Sequence, residues 1–247
     1  MRILLSLALV FGTTTLVCGQ IDTINAKNNK LVMANLKPVK NSYLVYMTDS
    51  LETKRTIGDI WERTITFRKQ NQQDVVVFDW KWLHNDSLYA TIMNVCDRKT
   101  LAPIYRYGSY KNKGVMAYNF KEGVMVPSDT VKDNLAIKRG AIRLDIPVIS
   151  WEQDLETYSL LPITKVGQQF DISFFDPNEK AASYHRYVVI GKEALSLNKD
   201  VKINCWLLKI NYTNDSYATF WLTEKSKEVI KMKEYYKGKF RVKVKQY

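Results

Sequence analysis

The chain has 247 residues, 46% of them hydrophobic, and its 37 Lys and Arg outweigh 25 Asp and Glu to give a formal charge of +12. That is enough chain to bury a real core, as one large β domain or two small ones. No run beyond the first nineteen residues is apolar and long enough to cross a membrane as a helix.

The start, "MRILLSLALVFGTTTLVCG", places one charge, Arg2, before an apolar stretch from Ile3 to Phe11. Val17 and Gly19 then precede Gln20 as small residues precede a signal-peptidase cut, so residues 1–19 read as a secretory signal peptide. Cys18 offers a second fate, lipidation after cleavage, but Val17 stands where a smaller residue is expected and Thr15 replaces the usual leucine. Removing residues 1–19 leaves 228 residues and takes one base, Arg2, so the formal charge falls by one to +11. An exported basic protein does not meet nucleic acid. Its charge fits an anionic envelope surface, or simply a lysine-rich solvated exterior. The sequons at Asn85, Asn211 and Asn214 matter only in a eukaryotic secretory path, and the cleavage region has a bacterial pattern.

Residues 20–42 read as a polar, loose arm with one short helical turn. Strand patterning follows. In "WERTITFRK" Trp61, Ile65 and Phe67 share one face, and in "DVVVFDWKWL" Val76, Phe78, Trp80 and Trp82 do the same, with Asp79 and Lys81 opposite. "HNDS" is a turn and "LYATIMNVC" the return strand; "IYRYGSY", "GVMAYNF" and "VMVP" continue through the short turns "KNKG" and "KEG". Residues 128–147 have no clear pattern. "SWEQDLETYSLLP" breaks the β habit, with Trp151, Leu155 and Tyr158 at helical spacing, Ser150 and Gln153 as a capping box, and Pro162 as the stop. Strands resume in "QQFDISFF", where Phe170, Ile172 and Phe174 alternate, and run to "KFRVKVK". At the end Phe220, Leu222, Ile230 and Met232 are expected on the core face, joined by Phe240, Val242 and Val244. Lys231, Lys233, Lys239, Arg241 and Lys243 are expected outside, where lysines also discourage edge pairing.

The predicted architecture is therefore mainly β: an antiparallel meander forming a curved half-barrel or barrel, with one central helix as plug or lid. Residues 43–247 form a single β domain, with β blocks at 43–127 and 163–247 around a helix near residues 150–161.

Little in the chain points to catalysis. His84 and His185 lie near strand ends with no second ligand at metal spacing, and no phosphate loop, nucleophile elbow or dinucleotide fingerprint is present. No cofactor is implied. Glu152, Asp154 and Glu156 crowd the helix, where they are expected on its wet face. Cys96 and Cys205 have two readings, a disulfide in an oxidising compartment or two separate buried thiols. What stands out is six Trp, fifteen Tyr and nine Phe. Rings on strands usually pack a core. On a curved sheet they can also wall an apolar cavity.

Several stretches together resemble an exported bacterial family of unknown function whose members are distantly similar to lipoprotein-carrier half-barrels of the Gram-negative envelope. They are "CDRKTLAPIYRYGSY" from Cys96, "YSLLPITKVGQQF" from Tyr158, "YVVIGKEAL" from Tyr187, "NCWLLKI" from Asn204 and "FWLTEKSKEVIKMKEYYKGKF" from Phe220. The resemblance implies an exported β domain with an apolar interior and carries over no catalytic residue.

Three functions follow as expectations. The first is a non-enzymatic protein of the periplasm or outer-membrane periphery that binds a lipid or other apolar ligand. Its cavity would be lined by Trp61, Phe67, Phe78, Trp80, Trp82, Trp151, Leu155, Phe170 and Ile172. The second is a scaffold with a filled core that acts through its basic outer face. The third is an enzyme using Asp79, His84 or His185.

Overall fold

Strict alternation makes strands, and short turns make neighbours antiparallel. The computed structural model describes residues 21–247, apart from residues 29, 180, 198 and 237. The expected signal peptide, Cys18 and the cleavage point before Gln20 lie outside the described residues. The first half runs β1 (Ile21–Ile24), β2 (Val39–Thr48), β3 (Arg55–Gln70), β4 (Gln73–His84), β5 (Ser87–Asp97), β6 (Pro103–Tyr110), β7 (Gly114–Lys121), β8 (Val124–Pro127) and β9 (Ile142–Arg143). A two-residue β10 (Ile149–Ser150) and a 3-10 turn at Trp151–Gln153 lead into α1 (Asp154–Tyr158). The second half runs β11 (Gln169–Ile172), β12 (Phe174–Phe175), β13 (His185–Ser196), β14 (Lys202–Thr213), β15 (Ser216–Thr223), β16 (Val229–Tyr236) and β17 (Lys239–Gln246).

Fifteen strands make one sheet in the order β1-β11-β13-β14-β15-β16-β17-β2-β3-β4-β5-β6-β7-β8-β9, and β10 pairs with β12 beside it. The two meanders join where the last strand, β17, pairs antiparallel with β2. The β3–β4 and β4–β5 hairpins turn through Asn71-Gln72 and Asn85-Asp86, all four residues at positive φ. That is the two-residue geometry that matches strand twist. The sheet curves around α1 without closing, and β1 and β9 are its ends. A single main core gathers Trp61, Ile65, Val76 and Phe78 from one meander, Phe170, Tyr187, Leu208 and Phe220 from the other, and Leu155, Tyr158 and Leu160 from the enclosed segment. The curved, mainly β architecture around a central helical piece is thus as the alternation predicts.

Four local expectations are corrected. The N-terminal arm is not loose: β1 pairs parallel with β11, Ile24, Ala26, Leu31 and Leu36 are buried, and the Val32 amide donates to the Leu160 carbonyl. The short helical turn expected there is present as a 3-10 turn at Met33–Asn35. The central helix is shorter than residues 150–161, a single α turn after a 3-10 turn. Its capping box does not form: Ser150 ends β10 with its hydroxyl unpartnered, and Gln153 turns its amide to the Cys96 thiol instead. Finally, β17 presents the opposite face from the one expected. Lys243 lies opposite the buried Met232 and inside, with its Nζ 4.1 Å from the centre of the Trp61 ring. Arg241 has the same strand parity and bonds to the buried Glu234, with its own side chain partly exposed. Val242 is buried on the outer side, opposite Lys233 and Tyr46, where the β2–β3 loop brings Glu52 onto Lys231 and Lys233. Phe240 and Val244 share that outer side. The interior at this point holds carboxylates, and cations satisfy it better than valines would.

Candidate ligand-binding site

The enclosed segment 151–160 is held differently on its two sides. Toward the second meander its contacts are rings. Tyr158 packs on Phe220 (4.6 Å between ring centres), Tyr187 (5.1 Å) and Phe174 (6.0 Å), and its hydroxyl donates to the Tyr187 hydroxyl at 2.9 Å. Trp151 lies against His185, Phe174 and Tyr212.

Toward the first meander the contacts are charges. The sheet curves around the segment and covers its carboxylates, which overturns the expectation of a wet face for them. Asp154 and Glu156 are buried, and Glu152 is half-buried. Arg63 on β3 reaches Glu156 through two bonds, Nε to Oε1 at 2.7 Å and Nη2 to Oε2 at 2.6 Å. The same Nη2 lies 3.3 Å from Asp154 and donates to the Glu152 carbonyl at 2.6 Å. On β6, Arg106 binds Glu152 through Nε (3.0 Å) and Nη2 (2.5 Å), and Asn94 on β5 donates to the same carboxylate at 3.1 Å. Gly108, two residues along β6, leaves room for this guanidinium: a Cβ there would sit 2.9 Å from Arg106 Nη2.

Burial opposes the charge on Arg63 and Arg106, but Glu156 and Glu152 respectively more than offset it, so both stay firmly protonated. Lys243 fares differently. Burial pushes its ammonium down to about 8 despite the attraction of Asp154. Sequence reasoning missed this set, although the signal was there. Arg63 has the same strand parity as Trp61, Ile65 and Phe67, and Asn94 the same parity as Ile92 and Cys96.

The nine residues expected to wall an apolar cavity do converge, but mostly on one another. Phe78, Phe170, Ile172, Leu155 and Trp61 are buried core, and Phe67, Trp80, Trp82 and Trp151 pack against it. Trp61 stacks edge-on with Trp80 at 4.6 Å, and Trp82 rests on Tyr89 at 4.6 Å. Phe67 carries the Arg98 guanidinium 3.9 Å above its ring. Beside Phe78, Trp80 and Asn94 only about 10 Å³ is free, room for one water at most. Of the nine, Leu155 also lines a larger space.

That space is a recess of about 310 Å³ between α1, β2, β3 and the β15–β16 turn. Buried Leu36, Tyr43, Ile65, Leu155 and Leu160 form its wall, and exposed Asn35, Lys37, Val39 and Ser226 its mouth. The arm read as loose supplies Leu36, Lys37 and Val39. The Tyr43 hydroxyl donates to the Val229 carbonyl at 3.0 Å, and burial raises its pKa far above the usual tyrosine value, so it stays neutral. Two carboxylates also border the recess, Glu156, held by Arg63, and Glu228, paired with Lys245. A second groove of about 640 Å³ follows Ala102, Phe120, Val124, Leu144, Ile146 and Val148 near the β9 end of the sheet.

The remaining candidates stand apart. Cys96 and Cys205 are both free and buried; Cys96 faces Gln153, and Cys205 donates to the Ile203 carbonyl. His84 Nδ1 lies 2.6 Å from Asp59, His185 bonds Ser183 beside Trp151, and Asp79 is half-buried on the outer side of β4, where desolvation raises its pKa. The structure does not join these three into one cleft. No group of three or more His, Cys, Asp and Glu able to hold a metal occurs among the described residues. No helix among them is long and apolar enough to cross a membrane.

Comparison with known proteins agrees with the fold. A model of a family described as protein of unknown function, DUF3108, matches residues 42–245, and the chain belongs to that family. A crystal structure of a β-barrel-like protein of domain of unknown function DUF1849 from Brucella abortus is similar over 85% of this chain and 96% of its own, with a TM-score of 0.50 and 14% identity. At that identity the likeness concerns the fold. No curated protein matches the chain.

Proposed function

We propose that this member of the DUF3108 family is an exported, non-enzymatic envelope protein that binds an apolar ligand, and that the ligand site is the recess beside α1. The observation that carries this reading is the recess itself: an open space of about 310 Å³ with five buried apolar or aromatic wall residues. It lies at the small end of the size range of ligand pockets. A ligand that fills it gains about 25 cal/mol for each Å² of apolar surface buried and needs no catalytic group. Export rests on the apolar start of the chain, and the intact mass of envelope-fraction protein tests it: retention of residues 1–19 contradicts it.

Displacement of a fluorescent fatty-acid probe tests the site. The unaltered protein should bind the probe, and Val39→Trp, which adds bulk at the exposed mouth, should abolish binding with an unchanged melting temperature. No binding by the unaltered protein would end this reading. The mutual packing of the other expected cavity residues would then favour the scaffold reading, in which the basic outer face meets a partner.

A further inference from the structure

The charges around the recess define the head of its ligand as well as its tail. Three charged residues border it: Lys37, Glu156 and Glu228. The two carboxylates are already neutralised from within. Both oxygens of Glu156 are taken by Arg63, and Glu228 is paired with Lys245. Lys37 is different. It stands exposed at the mouth and has no carboxylate partner among the described residues. The one uncompensated charge among the lining residues is therefore positive, and it sits at the open end of a space whose buried wall is apolar and aromatic. A lysine in this position can lay its methylene stem along an aliphatic tail while its ammonium meets the head in water.

We infer that the recess takes an anionic amphiphile, with its tail along Ile65, Leu155 and Leu160 and its carboxylate or phosphate at Lys37. The inference rests on the apolar-ligand reading above and adds the sign of the head.

Competition against the fluorescent fatty-acid probe tests it, using four twelve-carbon competitors: dodecanoate, dodecyl phosphate, dodecanol and dodecyltrimethylammonium. An exposed ion pair contributes up to about 1 kcal/mol, so dodecanoate and dodecyl phosphate should displace the probe at concentrations up to about fivefold below dodecanol. The ammonium compound should be weakest. The preference for anions should shrink in 0.5 M salt, as screening requires. In Lys37→Glu, an exposed change that leaves the core intact, the ammonium compound should overtake dodecanoate while dodecanol is unmoved. Val39→Trp should abolish displacement by all four, which assigns the effect to the recess and not to the basic exterior. If dodecanol matches dodecanoate in the unaltered protein and Lys37→Glu changes nothing, the head assignment fails and the recess remains an apolar site. Stronger binding of the ammonium compound to the unaltered protein would also overturn it, by showing that Glu156 and Glu228 dominate. If the unaltered protein binds neither the probe nor any competitor, the apolar-ligand reading itself falls.

Discussion

The two meanders grip the same ten-residue segment by opposite physics. β3, β5 and β6 hold residues 152, 154 and 156 with two arginines and an asparagine; β12, β13, β14 and β15 hold residues 151 and 158 with a packed group of rings. The difference teaches what each side contributes. Ring packing gives net stability, because apolar surface leaves water at little cost. Buried ion pairs roughly balance their own desolvation, but removing one partner is costly, so they fix where the segment sits more than how firmly the protein folds.

The comparison breaks most visibly on the ring side. Tyr158→Ala should cost about 3–5 kcal/mol, the usual penalty for removing a large buried ring, read by urea unfolding. Tyr158→Phe keeps the ring and loses only the bond to Tyr187, and should cost about 1 kcal/mol. Equal costs for the two variants would mean that the hydroxyl pair, and not the ring packing, holds this side.

A smaller effect sharpens the charged side. Lys243 titrates at about 8 in the folded protein, below the ordinary lysine value of about 10.4 in an unfolded chain. Between those two values the unfolded chain binds a proton that the folded protein does not. Stability should therefore rise with pH across that window and lose the gain as pH falls through 8. Lys243→Met should flatten this rise. An unchanged pH profile would place the ammonium in water.

The smallest effect concerns the thiols. Burial raises Cys96 to about 12 and Cys205 to about 11. Neither should react with a thiol reagent at pH 7 until the protein unfolds, when both should. A single reactive thiol in the native state would locate an opening on the side that carries it.

How far the sequence revealed this arrangement follows from the same contrast. Alternation identified the inward rings of β3, β4 and β11, because an apolar residue at every second position has one reading. The ring side was legible for that reason. The charged side was not, because charged residues default to solvent in any patterning argument. Glu152, Asp154 and Glu156 were given a wet face, but the curved sheet covers them. β17 failed for a related reason: "KFRVKVK" alternates perfectly, but alternation fixes the period and not which face turns in. A local cover over Val242 and an interior rich in carboxylates reversed the choice. Arg63 was the available clue, a base at an inward position between Trp61 and Ile65. The recess was hidden for another reason: Leu36 and Val39 come from a stretch whose composition resembles a tail and whose order depends on contacts with residues far along the chain.

The central claim is that the segment is positioned by charge from one meander and stabilised by packing from the other. A double-mutant cycle on Arg63 and Glu156, measured by urea unfolding of Arg63→Met, Glu156→Met and the pair, tests it most directly. The account predicts that Arg63→Met costs about 3–5 kcal/mol, because it strands Glu156 and Asp154 in the interior, and that adding Glu156→Met recovers about 2–3 kcal/mol of the combined loss. Costs that simply add to within about 0.5 kcal/mol would show that the two residues do not act as a buried pair, and would contradict the account.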